Sequence, residues 1–83
     1  MNTILRFRVK KEVDTPTARK ILSLKGSLIA QCYTDIIHFD DEDEHFYMHY
    51  FSVETARRKE AADYIAGCIR EELLSDIVML VEK

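Results

Sequence analysis

Tryptophan is absent from this chain, proline occurs once, and glycine and cysteine occur twice each. Each scarcity removes a class of protein. With so little proline and glycine, collagen-like repeats and low-complexity linkers are excluded, and no Gly-rich loop is left to cradle a phosphate. Two cysteines, Cys32 and Cys68, are too few for a disulfide scaffold and form no CxxC pair. The longest apolar run, Ile77 to Val81, is far short of the ~20 residues that cross a bilayer. The opening residues Met1-Asn2-Thr3-Ile4-Leu5-Arg6 do not have the composition of a secretory signal. The expectation is a cytoplasmic chain with reduced, buried thiols and no membrane contact.

What remains is a sequence of 83 residues, 47% hydrophobic and 33% charged, which is too apolar for a disordered chain. Residues 1–83 are expected to form a single domain. A core of this size gives only a few kcal/mol net, so association with a partner or a second copy is the expected extra support. The net charge of −3 is unevenly spread. Residues 1–25 hold seven Lys or Arg and two acids, whereas residues 26–54 hold seven acids and no Lys or Arg. A net-acidic chain is a poor general binder of nucleic acid, whose phosphates supply most of the affinity.

Alternation from Thr3 to Lys11 sets Leu5, Phe7 and Val9 against Arg6, Arg8 and Lys10, the pattern of a strand with one buried face. Asp14-Thr15-Pro16 then reads as a helix start. Apolar residues recur at three- and four-residue spacing through Tyr33, which predicts a helix over 16–33. Gly26 within it costs about 1 kcal/mol relative to alanine. A second reading ends this helix at Lys25 with Gly26 as its C-cap, but residues 27–40 do not alternate as a strand would. Ile36 to Phe39 and His45 to Ser52 read as a hairpin around the acidic run Asp40–Glu44. Its expected register puts Phe39 opposite Phe46 and Ile37 opposite Met48. A second amphipathic helix is predicted over 54–74, and Ile77 to Val81 as a final strand. The order β-α-β-β-α-β predicts a ferredoxin-like α+β sandwich, with two helices on one face of a four-stranded antiparallel sheet.

In that fold the helix-free face is expected to carry Arg6 and Arg8 beside His45, Tyr47, His49 and Phe51, with His38 on the edge. Aromatic side chains and arginines exposed together mark an interface. The acids Asp41, Glu42 and Asp43 at the hairpin tip are expected to join it, either as a solvated tip or as a surface for a basic partner. The leading reading is a non-enzymatic protein-interaction module, a small acidic adaptor, regulator or inhibitor that forms a homodimer or docks on another protein. The alternative is an RNA- or DNA-binding regulator, with Tyr47 and Phe51 stacking on bases and Arg6 and Arg8 on phosphates.

No GxSxG, HExxH or local Cys–His pairing occurs, so no enzyme, cofactor, metal or small-molecule substrate is expected. His45 and His49 are four residues apart on the expected strand, about 13 Å, too far for one ion. Lys25 falls within the apolar stripe of the first helix and is expected to snorkel to solvent. Arg57-Arg58-Lys59 opposes the dipole of the second helix and is expected to be solvated.

Overall fold

The computed structural model describes residues 1–81. Strand β1 (Asn2–Lys10) buries Leu5, Phe7 and Val9 and turns Arg6 and Arg8 to the other side. After it, Asp14 takes an extended backbone and its carboxylate accepts the Thr17 N–H at 2.9 Å, which starts helix α1 (Thr15–Ala30). The hydrogen bonds from Thr17 hold the Asp14 carboxyl below the usual carboxylate range. Helix α1 runs through Gly26 without a break and buries Ile21, Leu24 and Leu28.

Helix α1 stops three residues short of the expected Tyr33. The Tyr33 N–H bonds back to the Leu28 carbonyl at 3.1 Å and the Cys32 N–H to that of Ile29 at 3.0 Å. This is a Schellman ending, with Cys32 in the left-handed region at φ 64°. Unwinding there turns the Tyr33 ring into the core and Cys32 into solvent. The expectation of a buried Cys32 is therefore corrected, while Cys68 is half-buried.

A short edge strand β2 (His38–Asp41) pairs with β3 (Phe46–Glu54). One 3₁₀ turn, Thr55–Arg57, leads into helix α2 (Arg58–Glu71), which is shorter than the expected 54–74, and β4 (Val78–Val81) completes the sheet. Helix α2 has a Schellman ending too. Leu74 N–H meets the Ile69 carbonyl at 2.8 Å, and Leu73 sits at φ 60°. Strand order is β2-β3-β1-β4 with every pair antiparallel, which is the ferredoxin-like α+β arrangement. Ile21, Leu24 and Leu28 from α1 and Ala61 and Ile65 from α2 pack on Leu5, Phe7, Phe51 and Val53 in one core. Both helices therefore lie on the same side of the sheet.

The hairpin register differs from the expectation. Phe39 lies opposite His49 and Asp41 opposite Tyr47. The cause is Asp43, whose carboxylate accepts the His45 N–H at 2.8 Å and the Phe46 N–H at 2.9 Å. These bonds fix the turn over residues 42–45 and hold the Asp43 carboxyl below its ordinary range. Pairing moves by an odd number of residues, and an odd shift exchanges the two faces of a strand. Tyr47, His49, Phe51 and Val53 therefore face the helices, with Phe51 fully buried. Phe46, Met48 and Tyr50 face away.

In the basic run at the start of α2, Lys59 is solvated as expected, whereas Arg57 and Arg58 are held by the chain. Arg57 lies 4.4 Å over the Tyr33 ring and donates to Glu60 and to the Cys32 carbonyl, both at 3.1 Å. Arg58 donates to the Ile4 carbonyl at 2.6 Å. Arg57 thereby places a positive charge at the carbonyl end of α1, where the helix dipole favours it.

Candidate functional site

Two surfaces carry chemistry-bearing side chains. The first is the sheet face without helices. β1 is central, so its outward residues set the rows of this face. Arg6 lies in register between Tyr50 and Val81, and Arg8 between Met48 and Met79. His38 stacks on Tyr50 with ring centroids 5.2 Å apart. Burial, and then the neighbouring Asp40 carboxylate, raise the Tyr50 pKa above its ordinary value. Ile4 is 38% exposed at the end of the same face.

Acids from the hairpin neutralise part of this basic strand. Arg8 Nε donates to both Glu42 carboxylate oxygens, at 2.7 and 2.9 Å. Lys11 Nζ lies 3.2 Å from Asp41 Oδ1. The opposite charges of residues 1–25 and 26–54 are thus brought together within one sheet. Glu42, Asp41 and Asp43 act first as partners for Arg8, Lys11 and the turn amides. The acidic tip is exposed, as expected of a solvated loop, and in addition Glu42 and Asp41 tie it to Arg8 and Lys11.

Of the residues expected on the open face, Arg6, Arg8 and His38 are there. Tyr47, His49 and Phe51 are corrected to the helix-covered face, and His45 lies exposed in the hairpin turn. The nucleic-acid alternative loses its two stacking rings by this placement, and Arg8 already holds Glu42. The imidazoles of His38, His45 and His49 sit on the open face, in the turn and under α1 respectively. They share no centre.

The second surface is a cleft on the helix-covered side, where α1 overhangs the short β2. Its floor is His49, 4% exposed, stacked 5.1 Å from the Phe7 ring and 5.4 Å from Phe39. Lys25 reaches in from α1, so that its Nζ is 3.3 Å from His49 Nε2 and 5.6 Å from the Phe39 centroid. An ammonium can only donate, so Nε2 accepts and the ring hydrogen sits on Nδ1. No group of the described residues bonds to that buried Nδ1. Burial, reinforced by the Lys25 charge, lowers the His49 pKa to about 4. The expected snorkelling of Lys25 is in fact a half-buried contact.

Sequence reasoning missed Phe46, Met48 and Tyr50 as outward residues and Lys25 and Phe39 as a pair. Two signals were available. Val53 shares parity with Phe51 and Tyr47, which favours that set as the core face once the strand is extended to Glu54. Lys25 also stands within the apolar stripe of α1. Comparison with family models, curated proteins and solved structures finds no match for this chain.

Proposed function

We propose that this chain is a non-catalytic protein-interaction module whose helix-free sheet face pairs with the same face of a second copy. The observation that carries this reading is the row of Tyr50, Met48, Met79 and Val81 flanking Arg6 and Arg8 on a face that no helix among the described residues covers. Apolar and aromatic groups interspersed with arginine make up the centre of protein interfaces, where lysine and acids are depleted.

A second copy is favoured because the face carries both signs. Arg6 stands on β1 and Asp40 on β2, while Arg8 and Glu42 are already joined within one copy. A twofold arrangement requires a surface complementary to itself, and this distribution supplies it. Two strands of ~30 Å and two of ~13 Å, spaced ~4.8 Å apart, give a footprint on the order of 400 Å² per side. That is below the ~800 Å² of a standard interface, so the dimer belongs to the weaker, reversible class. The cytoplasm suits it, since the exposed Cys32 stays a thiol only in a reducing compartment.

Sedimentation velocity over a wide concentration range tests the reading. A concentration-dependent dimer is expected, lost in Tyr50→Glu and retained in His45→Ala. A strict monomer at high micromolar concentration removes it. A dimer that Tyr50→Glu leaves intact moves the interface elsewhere.

A further inference from the structure

The cleft under α1 points to a separate activity, independent of the pairing face. It is a cavity of about 320 Å³ lined by Val9, Val13, Ile21, Leu22 and Phe39, with Lys25, Tyr47 and His49 as polar groups at its floor and Lys10 and Lys11 at its mouth. That volume falls at the low end of the ~300–1,000 Å³ of ligand pockets.

Its electrostatics are one-sided. Among the described residues no acidic side chain lines it. Lys11 at its rim is already paired with Asp41. Lys25, in contrast, has an imidazole and an aromatic ring for company and no carboxylate. A half-buried ammonium without a counter-ion is costly, and an anion arriving in the cleft offsets that cost. The ammonium has three N–H donors, of which His49 Nε2 takes one and thereby aims the others. His49 is a positioning residue in this arrangement, and because it is neutral Lys25 is the cation at the floor, with Lys10 and Lys11 at the mouth.

We propose that this cleft binds a small apolar monocarboxylate, with its carboxylate on the Lys25 ammonium and its hydrocarbon body against Val9, Val13, Ile21 and Leu22. Lys25 is the one ammonium at the apolar floor, which matches one negative charge there. The cleft lacks the glycine-built nest that favours a phosphate group. Its size fits the body of an acid such as octanoate.

Amide-resolved NMR titration of the full chain at pH 7 with octanoate and, in parallel, with octan-1-ol tests this. Octanoate is expected to give saturable shifts at Val13, Leu22, Lys25 and Phe39, with octan-1-ol at least about tenfold weaker. Lys25→Met should cut octanoate affinity about tenfold and leave octan-1-ol unchanged, and Lys25→Arg should restore most of it. Leu22 is 64% exposed, so Leu22→Asp keeps the fold while setting a like charge at the mouth. It too should weaken octanoate. Tyr50→Glu should bind as the parent does, which separates this site from the pairing face. Equal affinity for acid and alcohol, shifts confined to the open sheet face, or no saturable shift at millimolar octanoate overturns the proposal.

Discussion

Lys25 donates to the Nε2 of His49 across 3.3 Å beneath helix α1, so a cation and a titratable ring share one partly dry site. The groups around the imidazole are Lys25 from α1, Phe7 from β1, Phe39 from β2 and Tyr47 from β3. None of them is an acid that would welcome a second positive charge. Burial first, then Lys25, lowers the His49 pKa from 6.5 to about 4. The unfolded chain therefore binds a proton that the folded chain refuses. Stability is fully present above pH 6.5 and falls as the pH drops toward 4, by about 2–3 kcal/mol over that window. Asp14 and Asp43, whose pKa values are lowered, lose their contributions at lower pH, so the windows separate. Urea denaturation from pH 7.5 to 4 should show the decline, and His49→Leu should flatten it. A His49 ring that titrates near 6.5 by NMR contradicts this account.

Adjacent residues on β3 should behave in opposite ways. Phe51 is fully buried against Leu5 and Phe7, whereas Tyr50 faces away from both helices. Phe51→Ala should cost about 3–5 kcal/mol, from lost transfer energy and the cavity left behind. The core of a domain this small gives only a few kcal/mol net, so this variant should be largely unfolded at 37 °C. Tyr50→Ala should cost under about 1 kcal/mol, as surface changes do, and should abolish self-association. Circular dichroism melts and sedimentation on the two variants decide between this face assignment and its reverse.

That pair of residues also shows where the sequence stopped being informative. Period-two alternation in β1 and period-3.6 stripes in α1 and α2 made the elements, their order and the ferredoxin-like topology legible, because these patterns follow from burial on one side. The same logic was ambiguous in β3, where Phe46, Met48 and Tyr50 are as apolar as Tyr47, His49 and Phe51. Parity there depends on the turn, and the turn depends on a carboxylate from Asp43 finding two amide groups. A local hydrogen bond inside a run of five acids leaves no periodic trace. Cys32 escaped for a similar reason. Its spacing continues the apolar stripe of α1, but the helix unwinds just before it. The Lys25–His49 contact joins residues 24 positions apart and becomes visible only when α1 is laid on the sheet.

The turn itself is open to test. Asp43 accepts two backbone N–H groups, whereas Asp41 makes one exposed ion pair with Lys11. Removing Asp43 leaves the amides of His45 and Phe46 to water and releases the register. Asp43→Ala should cost about 1–2 kcal/mol. Asp41→Ala should cost under about 0.5 kcal/mol, because an exposed pair contributes little. Thermal melts of both variants at pH 7 compare the two, and equal losses would contradict the assigned role of Asp43. Hydrogen exchange should also show faster exchange at Phe46 in Asp43→Ala.

The glycine in α1 and the leucine after α2 are each in the backbone position that suits the other. Gly26 lies mid-helix, with no atom within 4 Å of where a Cβ would stand. Leu73 closes α2 at φ 60°, a conformation costly for a branched side chain, and is 84% exposed, so little packing is lost with it. Gly26→Ala should stabilise by about 0.5–1 kcal/mol, because alanine restricts the unfolded chain and favours helix. Leu73→Gly removes a left-handed penalty of ~1–2 kcal/mol and adds unfolded-state freedom of roughly 0.5–1 kcal/mol, leaving a net gain near 0.5 kcal/mol. The sites are far apart in the chain and share no partner, so the double variant should show the sum. Chemical denaturation measures all three. A loss of stability in Leu73→Gly would mean that its exposed side chain makes a contact the free monomer does not show, and sedimentation of that variant would reveal it as weakened self-association.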